Sequence, residues 1–175
     1  MATNEINLNM GVAPGRKTVT LVNRCGATVL KGQVVAVNAA FAATAGEAMA
    51  SLDPKNADID GPTGYWAAAA INPTTANRNY YMAVADRDVP DNQTADFIIE
   101  GEVDLLVPTG AAAGDLVHGT NGSRVVTVLT LAGVAALATP VAACGHLLQA
   151  NSSGANALTR AVFKGDELWG RIIGV

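Results

Sequence analysis

The sequence has little of what an enzyme usually shows. It carries 2 cysteines, 2 histidines and 2 tryptophans, with 5% aromatic residues and 15% charged residues in a chain of 175. Each shortage excludes something. Cys25 and Cys144 lie far apart and form no CxxC or Cys/His pattern, so neither a disulfide scaffold nor a zinc ribbon is expected. Two reduced, buried thiols in a protein made in a cytosol are expected instead. Too few Glu, Lys and Leu residues recur in heptads for a coiled coil. Half the chain is hydrophobic, which excludes a disordered chain. The 11 basic and 15 acidic side chains leave a net charge of -4 and a pI near 5.0. That balance offers no electrostatic footprint for phosphate, so no nucleic-acid partner is expected. Residues 1–8 have no basic region and no apolar core, so they do not read as a signal peptide. No P-loop, dinucleotide fingerprint or nucleophile elbow occurs, and no cofactor or metal is expected.

What is abundant is small. The chain holds 33 alanines and 18 glycines, so the hydrophobic fraction overstates the surface available for burial. From Val125 to Ala143 no residue is charged, roughly the length of a membrane span. Thr127, Thr130, Gly133, Thr139 and Pro140 interrupt that run. Its first part, Val125–Leu131, has the β-branched bias of a strand. A buried strand, not a membrane segment, is expected.

The pattern along the chain is that of short strands. Ile6, Leu8 and Met10 alternate with Glu5, Asn7 and Asn9, giving an amphipathic extended segment that Gly11–Gly15 cuts off. Residues 1–17 therefore read as an N-terminal arm. It either pairs with a neighbouring subunit by strand addition or forms an ordinary first strand. Residues 18–175 read as one β domain. Residues 46–79 are a loop-rich excursion marked by Asp53-Pro54, Asp60-Gly61-Pro62 and Asn72-Pro73. Strands are expected at 18–22, 33–37, 80–85 and 97–107, with Gly101 marking a bulge or two abutting strands. Asn121-Gly122 between Leu116–His118 and Arg124–Val126 signals a hairpin. Further strands follow near Cys144–Gln149, Leu158–Phe163 and Leu168–Ile173. Eight or more short strands with Gly, Asn and Pro turns predict an all-β sandwich or barrel.

Chemistry-bearing residues are few. His118 sits at the hairpin with Asp115 near it in sequence, and His146 follows Cys144 in an apolar run. Residues two apart on a strand lie ~6.6 Å apart, too far for a Cys144–His146 nucleophile–base pair. Glu100, Glu102 and Asp104 recur at period two, so one strand face would carry all three. Their spacing overlaps that of glycosidase carboxylates, but a row of carboxylates is also what a solvated sheet face looks like. Asp58-Ile59-Asp60-Gly61 and Asp86-Arg87-Asp88 resemble fragments of calcium loops without the full ligand set. Asn92, Asn121 and Asn151 each begin an Asn-x-Ser/Thr triplet and read as surface loops.

A loose internal echo runs through the chain. Lys31-Gly32-Gln33-Val34-Val35 is matched by Ala113-Gly114-Asp115-Leu116-Val117, and in part by Lys164-Gly165-Asp166-Glu167-Leu168. Glycine would make the tight turn, with the polar residue facing solvent before the strand begins. These glycine-led strand starts resemble the decoration (cement) proteins of tailed-phage capsids. The ending Gly145-His146-Leu147-Leu148 to Ile172-Ile173-Gly174-Val175 and the low-charge Ala/Gly/Thr/Val composition add to the likeness. The resemblance implies a β-rich, non-enzymatic protein, often a homotrimer, made in the host cytoplasm and bound to the outer capsid surface of the virion. Its partner would be the major capsid protein, whose subunit junctions it clamps. Contacts are then expected at Ile6, Leu8, Met10, Arg16 and Lys17, and at Trp169 and Arg171, because Trp and Arg are enriched at hot spots. Core packing is the other reading of Trp169. Two alternatives remain open. One is another surface-assembly part such as a head fibre, tail-tube or S-layer-like module. The other is a small β-barrel carbohydrate binder or hydrolase using Glu100, Glu102 and Asp104.

Overall fold

Alternating and β-branched runs separated by Gly, Asn and Pro give eleven strands and essentially no helix among the described residues. The computed structural model describes residues 15–38, 69–75, 81–130, 133, 141–165 and 172–173. The strands are β1 (Lys17–Asn23), β2 (Val34–Asn38), β3 (Ala69–Ile71), β4 (Met82–Ala85), β5 (Thr94–Val107), β6 (Leu116–Thr120), β7 (Ser123–Leu129), β8 (Val141–Ala142), β9 (Gly145–Leu147), β10 (Ala157–Lys164) and β11 (Ile172–Ile173). Nine of them form one sheet in the order β1-β3-β2-β4-β5-β10-β9-β6-β7, while β8 and β11 pair separately. The all-β reading is correct. Among the described residues no helix is long and apolar enough to cross a membrane, and Val125–Leu129 lies in β7.

Because β1 also pairs with β5, the first five strands close into a ring. The sequence left sandwich and barrel open; ring closure gives this half the barrel form. Its interior holds Leu21, Val29, Val35, Ala83, Ala85, Val89 and Phe97. The second core lies between the ring's outside and β6, β7, β9 and β10, around Val34, Met82, Val84, Ile98, Leu105 and Phe163. Val34 and Val35 thus point into different cores, as strand alternation requires. All four residues of β4 are buried, which explains its unbroken apolar sequence.

β3 falls inside the stretch read as a loop-rich excursion. Ala69 and Ala70 are fully buried, with β1 running parallel on one side and β2 antiparallel on the other. Alanine has poor strand propensity, so nothing local announced this strand. Residues 1–14 of the arm, and residues 46–68 and 76–79 of the excursion, lie outside the described residues.

β5 has 14 residues, and its bulge falls where Gly101 suggested. The register with β1 skips Ile99, passing from Lys17 opposite Glu100 to Thr18 opposite Ile98. Gly101 has φ 120°, and a Cβ there would lie 3.0 Å from the Arg16 Cα. Only glycine fits both demands. The Asn121-Gly122 hairpin also forms, joining Thr120 to Ser123, with the left-handed backbone at Gly122 alone (φ 71°).

The internal echo is structural, but its membership differs from the sequence reading. Before β2, β5 and β6 the chain makes a type II turn with positive φ at its third residue: Gly32 (79°), Asn92 (62°) and Gly114 (88°). In each turn, that third residue's N–H donates to the carbonyl of the last residue of another strand. That residue's N–H donates back to the carbonyl of the turn's fourth residue. The clasps are Gly32 and Gln33 on Ala85, Asn92 and Gln93 on Asn23, and Gly114 and Asp115 on Leu147, at 2.8–3.0 Å. Gln33 and Asp115 do not simply face solvent. Their side chains accept from the N–H of Leu30 (2.9 Å) and Ala112 (2.8 Å), the first residue of each turn. The Asn92 copy has Pro90 there, which has no N–H to give. Gly165 is not a further copy: its N–H donates to the Ile99 carbonyl and its own carbonyl accepts from the Met82 N–H.

Two buried asparagines tie the loops down, each beginning an Asn-x-x-Gly-Ala segment. Asn23 Oδ1 accepts from the Cys25 N–H, and its Nδ2 donates to the carbonyls of Ala27 and Val89. Asn151 repeats this with the Ser153 N–H and the Ala155 carbonyl, adding Val107 and Pro108. Asn151 is 4% exposed, so it is not a surface-loop residue as its triplet suggested.

Replacing Asn23 with Ala should leave buried backbone groups without partners and destabilise by about 3 kcal/mol, read as a lower urea midpoint. Asn92→Gly should stay within about 1 kcal/mol of the parent, because glycine accepts φ 62° freely. Gly32→Ala should cost more than Asn92→Ala, since its Cβ would lie 2.3 Å from Leu158 Cδ2 and 2.9 Å from the Asp104 carbonyl oxygen.

Candidate interaction face

Residues opposite one another in an antiparallel pair share a face, so the registers of β5, β9 and β10 define one continuous outer surface. Glu100 faces Lys164, Glu102 faces Val162, Asp104 faces Arg160 and Leu106 faces Leu158. His146 lies opposite Val162 on the other side, and the Leu148 N–H donates to the Arg160 carbonyl. Thr159, Ala161 and Phe163 point the other way and are buried.

The carboxylate row is real, and cations occupy it. Glu100 meets Lys17 and also Lys164 at 3.8 Å, Glu102 meets Arg160 at 3.9 Å, and Asp104 meets Lys31 at 3.1 Å. The Arg16 guanidinium donates to the Glu102 carbonyl oxygen from Nε (3.2 Å) and Nη2 (3.1 Å), and from Nη1 to Asp86 at 3.3 Å. Exposed pairs like these are worth about 0–1 kcal/mol each, so they order the surface more than they hold the fold.

Among the described residues, Arg16, Lys17, Lys31, Arg160 and Lys164 pair with Asp86, Glu100, Glu102 and Asp104, so the face carries an ordered array of both signs. It also carries Leu158, 47% exposed, and Leu148, 39% exposed. Leucines exposed among ordered arginines and lysines make a surface suited to protein contact.

The structure places Arg16 and Lys17 at the rim of this face. Ile6, Leu8, Met10, Trp169 and Arg171 lie outside the described residues. Sequence reading missed Lys31, Leu148, Leu158, Arg160 and Lys164 as members. The period-two run Leu158, Arg160, Val162, Lys164 was the signal available.

The other candidates resolve into structural roles. His118 is buried and its Nδ1–H donates to the Gly119 carbonyl at 2.7 Å. Asp115 is engaged in its own turn. Cys144 is buried in the second core, with its thiol 3.5 Å from the Val117 carbonyl, while His146 lies on the outer face, so no dyad forms. Asp86 holds Arg16, and Asp88 accepts from the Lys31 N–H at 2.8 Å. Asp58 and Asp60 lie outside the described residues. No group of three metal-binding side chains occurs among the described residues. The chain matches no family model, no curated protein and no solved structure.

Cys25 is a buried free thiol. Burial pushes its pKa from 9.0 up to about 11; Asp91 adds to the rise, and Arg124 opposes it. The folded state therefore keeps a proton that the unfolded chain gives up above pH 9. Stability contributed by the protonated thiol is complete below about pH 9 and is lost as pH rises toward 11. The urea midpoint should fall across that window, and less steeply in Cys25→Ala than in the parent.

Proposed function

We propose that this protein is a structural virion component that binds the outside of a tailed-phage capsid and stabilises contacts between major capsid subunits. The observation that carries this reading is the outer face of β5, β9 and β10. It combines exposed leucines with an ordered ion-pair array of both signs, and it suits a partner surface with a complementary arrangement of charge. The resemblance of the glycine-led strand starts and the small-residue composition to capsid decoration proteins supports it. Many identical copies on a shell make a modest face sufficient through multivalency. Self-association as a homotrimer, synthesis in the host cytoplasm and display on the outer capsid surface belong to the same proposal. Catalysis by Glu100, Glu102 and Asp104 is the weaker reading, because each carboxylate already has a cation on it.

The test is co-sedimentation with purified shells of tailed phages. The parent protein should pellet with the shells of its partner phage and raise the temperature at which they rupture. Leu158→Asp and Arg160→Glu should each lower the bound fraction at least tenfold, with the melting temperature of the free protein little changed. Failure to pellet with any shell, or equal binding by both variants, would remove the proposal.

A further inference from the structure

The tip of the β6–β7 hairpin carries the one Asn-Gly pair of the sequence, Asn121-Gly122, and both residues are exposed. An asparagine before glycine is chemically labile, because glycine has no Cβ to keep its backbone nitrogen away from the preceding side chain. The fold places a second element on both reacting groups. The Gly122 N–H donates to the Pro73 carbonyl at 2.8 Å. Asn121 Oδ1 accepts from the Thr75 N–H at 2.9 Å. A backbone N–H can only donate, so the side-chain amide is held with its oxygen toward Thr75. Both bonds come from residues 72–75, the loop that leaves β3, and that loop is anchored in turn. Pro73 is buried, and Asn72 Nδ2 donates to the Cys25 carbonyl at 3.0 Å. One loop of the ring thus holds both the nucleophile and the electrophile of the pair.

We infer that Asn121-Gly122 is a self-modifying site that the 72–75 loop keeps closed, so that separation of the hairpin from the ring is recorded as a covalent change. In the reaction, the Gly122 nitrogen gives up its proton and bonds Asn121 Cγ. The Cγ–Nδ2 bond breaks, and ammonia leaves with that proton. Water then opens the resulting succinimide at either carbonyl, leaving aspartate or isoaspartate at 121. While the loop is seated, the Gly122 proton is bonded to the Pro73 carbonyl, and removing it would strand a buried acceptor. The Thr75 bond fixes the side chain at the same time. Reaction therefore proceeds from the open state, at a rate set by how often the loop lifts. The change is one-way. Isoaspartate routes the main chain through Cβ and Cγ, which lengthens the turn joining Thr120 to Ser123. Either product adds a negative charge at the tip.

The test follows the full-length protein at mildly alkaline pH by peptide mapping and mass spectrometry, both native and in guanidinium chloride. Conversion at Asn121 should be at least tenfold slower in the native protein. Hydrogen exchange at the Gly122 amide should be slowed by a factor of the same size, because one opening exposes both groups. Asn72→Ala cuts the loop's anchor on Cys25, and Thr75→Pro removes the N–H on Oδ1. Each should speed native conversion at least threefold and leave the rate in guanidinium chloride unchanged. Equal rates in the native and denatured protein, an unprotected Gly122 amide, or native rates unmoved in both variants would each overturn the inference. If the variants do not fold, the parent alone decides. Conversion and Gly122 exchange must rise together as guanidinium chloride is added below the unfolding transition, and conversion that stays flat while exchange rises overturns the inference. No shell enters these measurements, so a failure of capsid binding leaves their result standing.

Discussion

Strand β5 is shared by two cores, and the rest of the fold is arranged around that sharing. Its first half closes the five-stranded ring against β1 and β4, and its second half starts the outer sheet through β10. A straight 14-residue strand could not follow both curvatures. The skipped Ile99 and the left-handed Gly101 supply the change of direction. Without that bulge, Phe97 and Ile98 would still reach opposite cores, but Glu100–Val107 would be aimed wrongly for β10. Arg16 packs against Gly101 and bonds Glu102, so the start of the domain is fastened at the same point.

Closing a small ring with few large side chains needs help from the loops. Among the described residues, the interior of the ring holds one phenylalanine, with valines and alanines making up most of the remainder. Hydrophobic burial scales with area, so alanine-lined walls supply little. The turn-to-strand clasps and the two buried asparagines fill that gap by satisfying backbone groups where strands end. The Val29–Val89 pair, bonded in both directions, joins the two loops that cross at one end of the ring. Polar order of this kind is costly when half made. Both asparagine amides are therefore fully engaged.

The face proposed for partner binding inherits its rigidity from this frame. β10 lies in register with β5 along its whole length, which spaces Arg160, Lys164 and the carboxylates regularly. Under that proposal the ordered charges select which surfaces approach, and Leu148 and Leu158 supply apolar area once contact is made. A face built from strand positions is more exact than one built from loops, which suits a partner that repeats many times over a shell.

Local chemistry was legible. The all-β class, the hairpin at Asn121-Gly122 and the bulge at Gly101 were readable because turn residues and period-two alternation act over a few neighbours. The carboxylate row was readable as a row, but not its cations, which arrive from β1, from the turn before β2 and from β10. The turn at Asn92 escaped notice because asparagine, unlike glycine, has many other uses. Asn151 looked like a surface loop until the Val107 and Pro108 carbonyls at the distant end of β5 closed on it. Ala69–Ile71 had no strand signal of its own. The sequence by itself determined strands, turns and the absence of recognisable cofactor motifs, since these depend on backbone preference and residue chemistry. Only the tertiary structure decided ring closure, the two cores and the shared face, because they rest on hydrogen bonds and contacts between residues far apart in the chain.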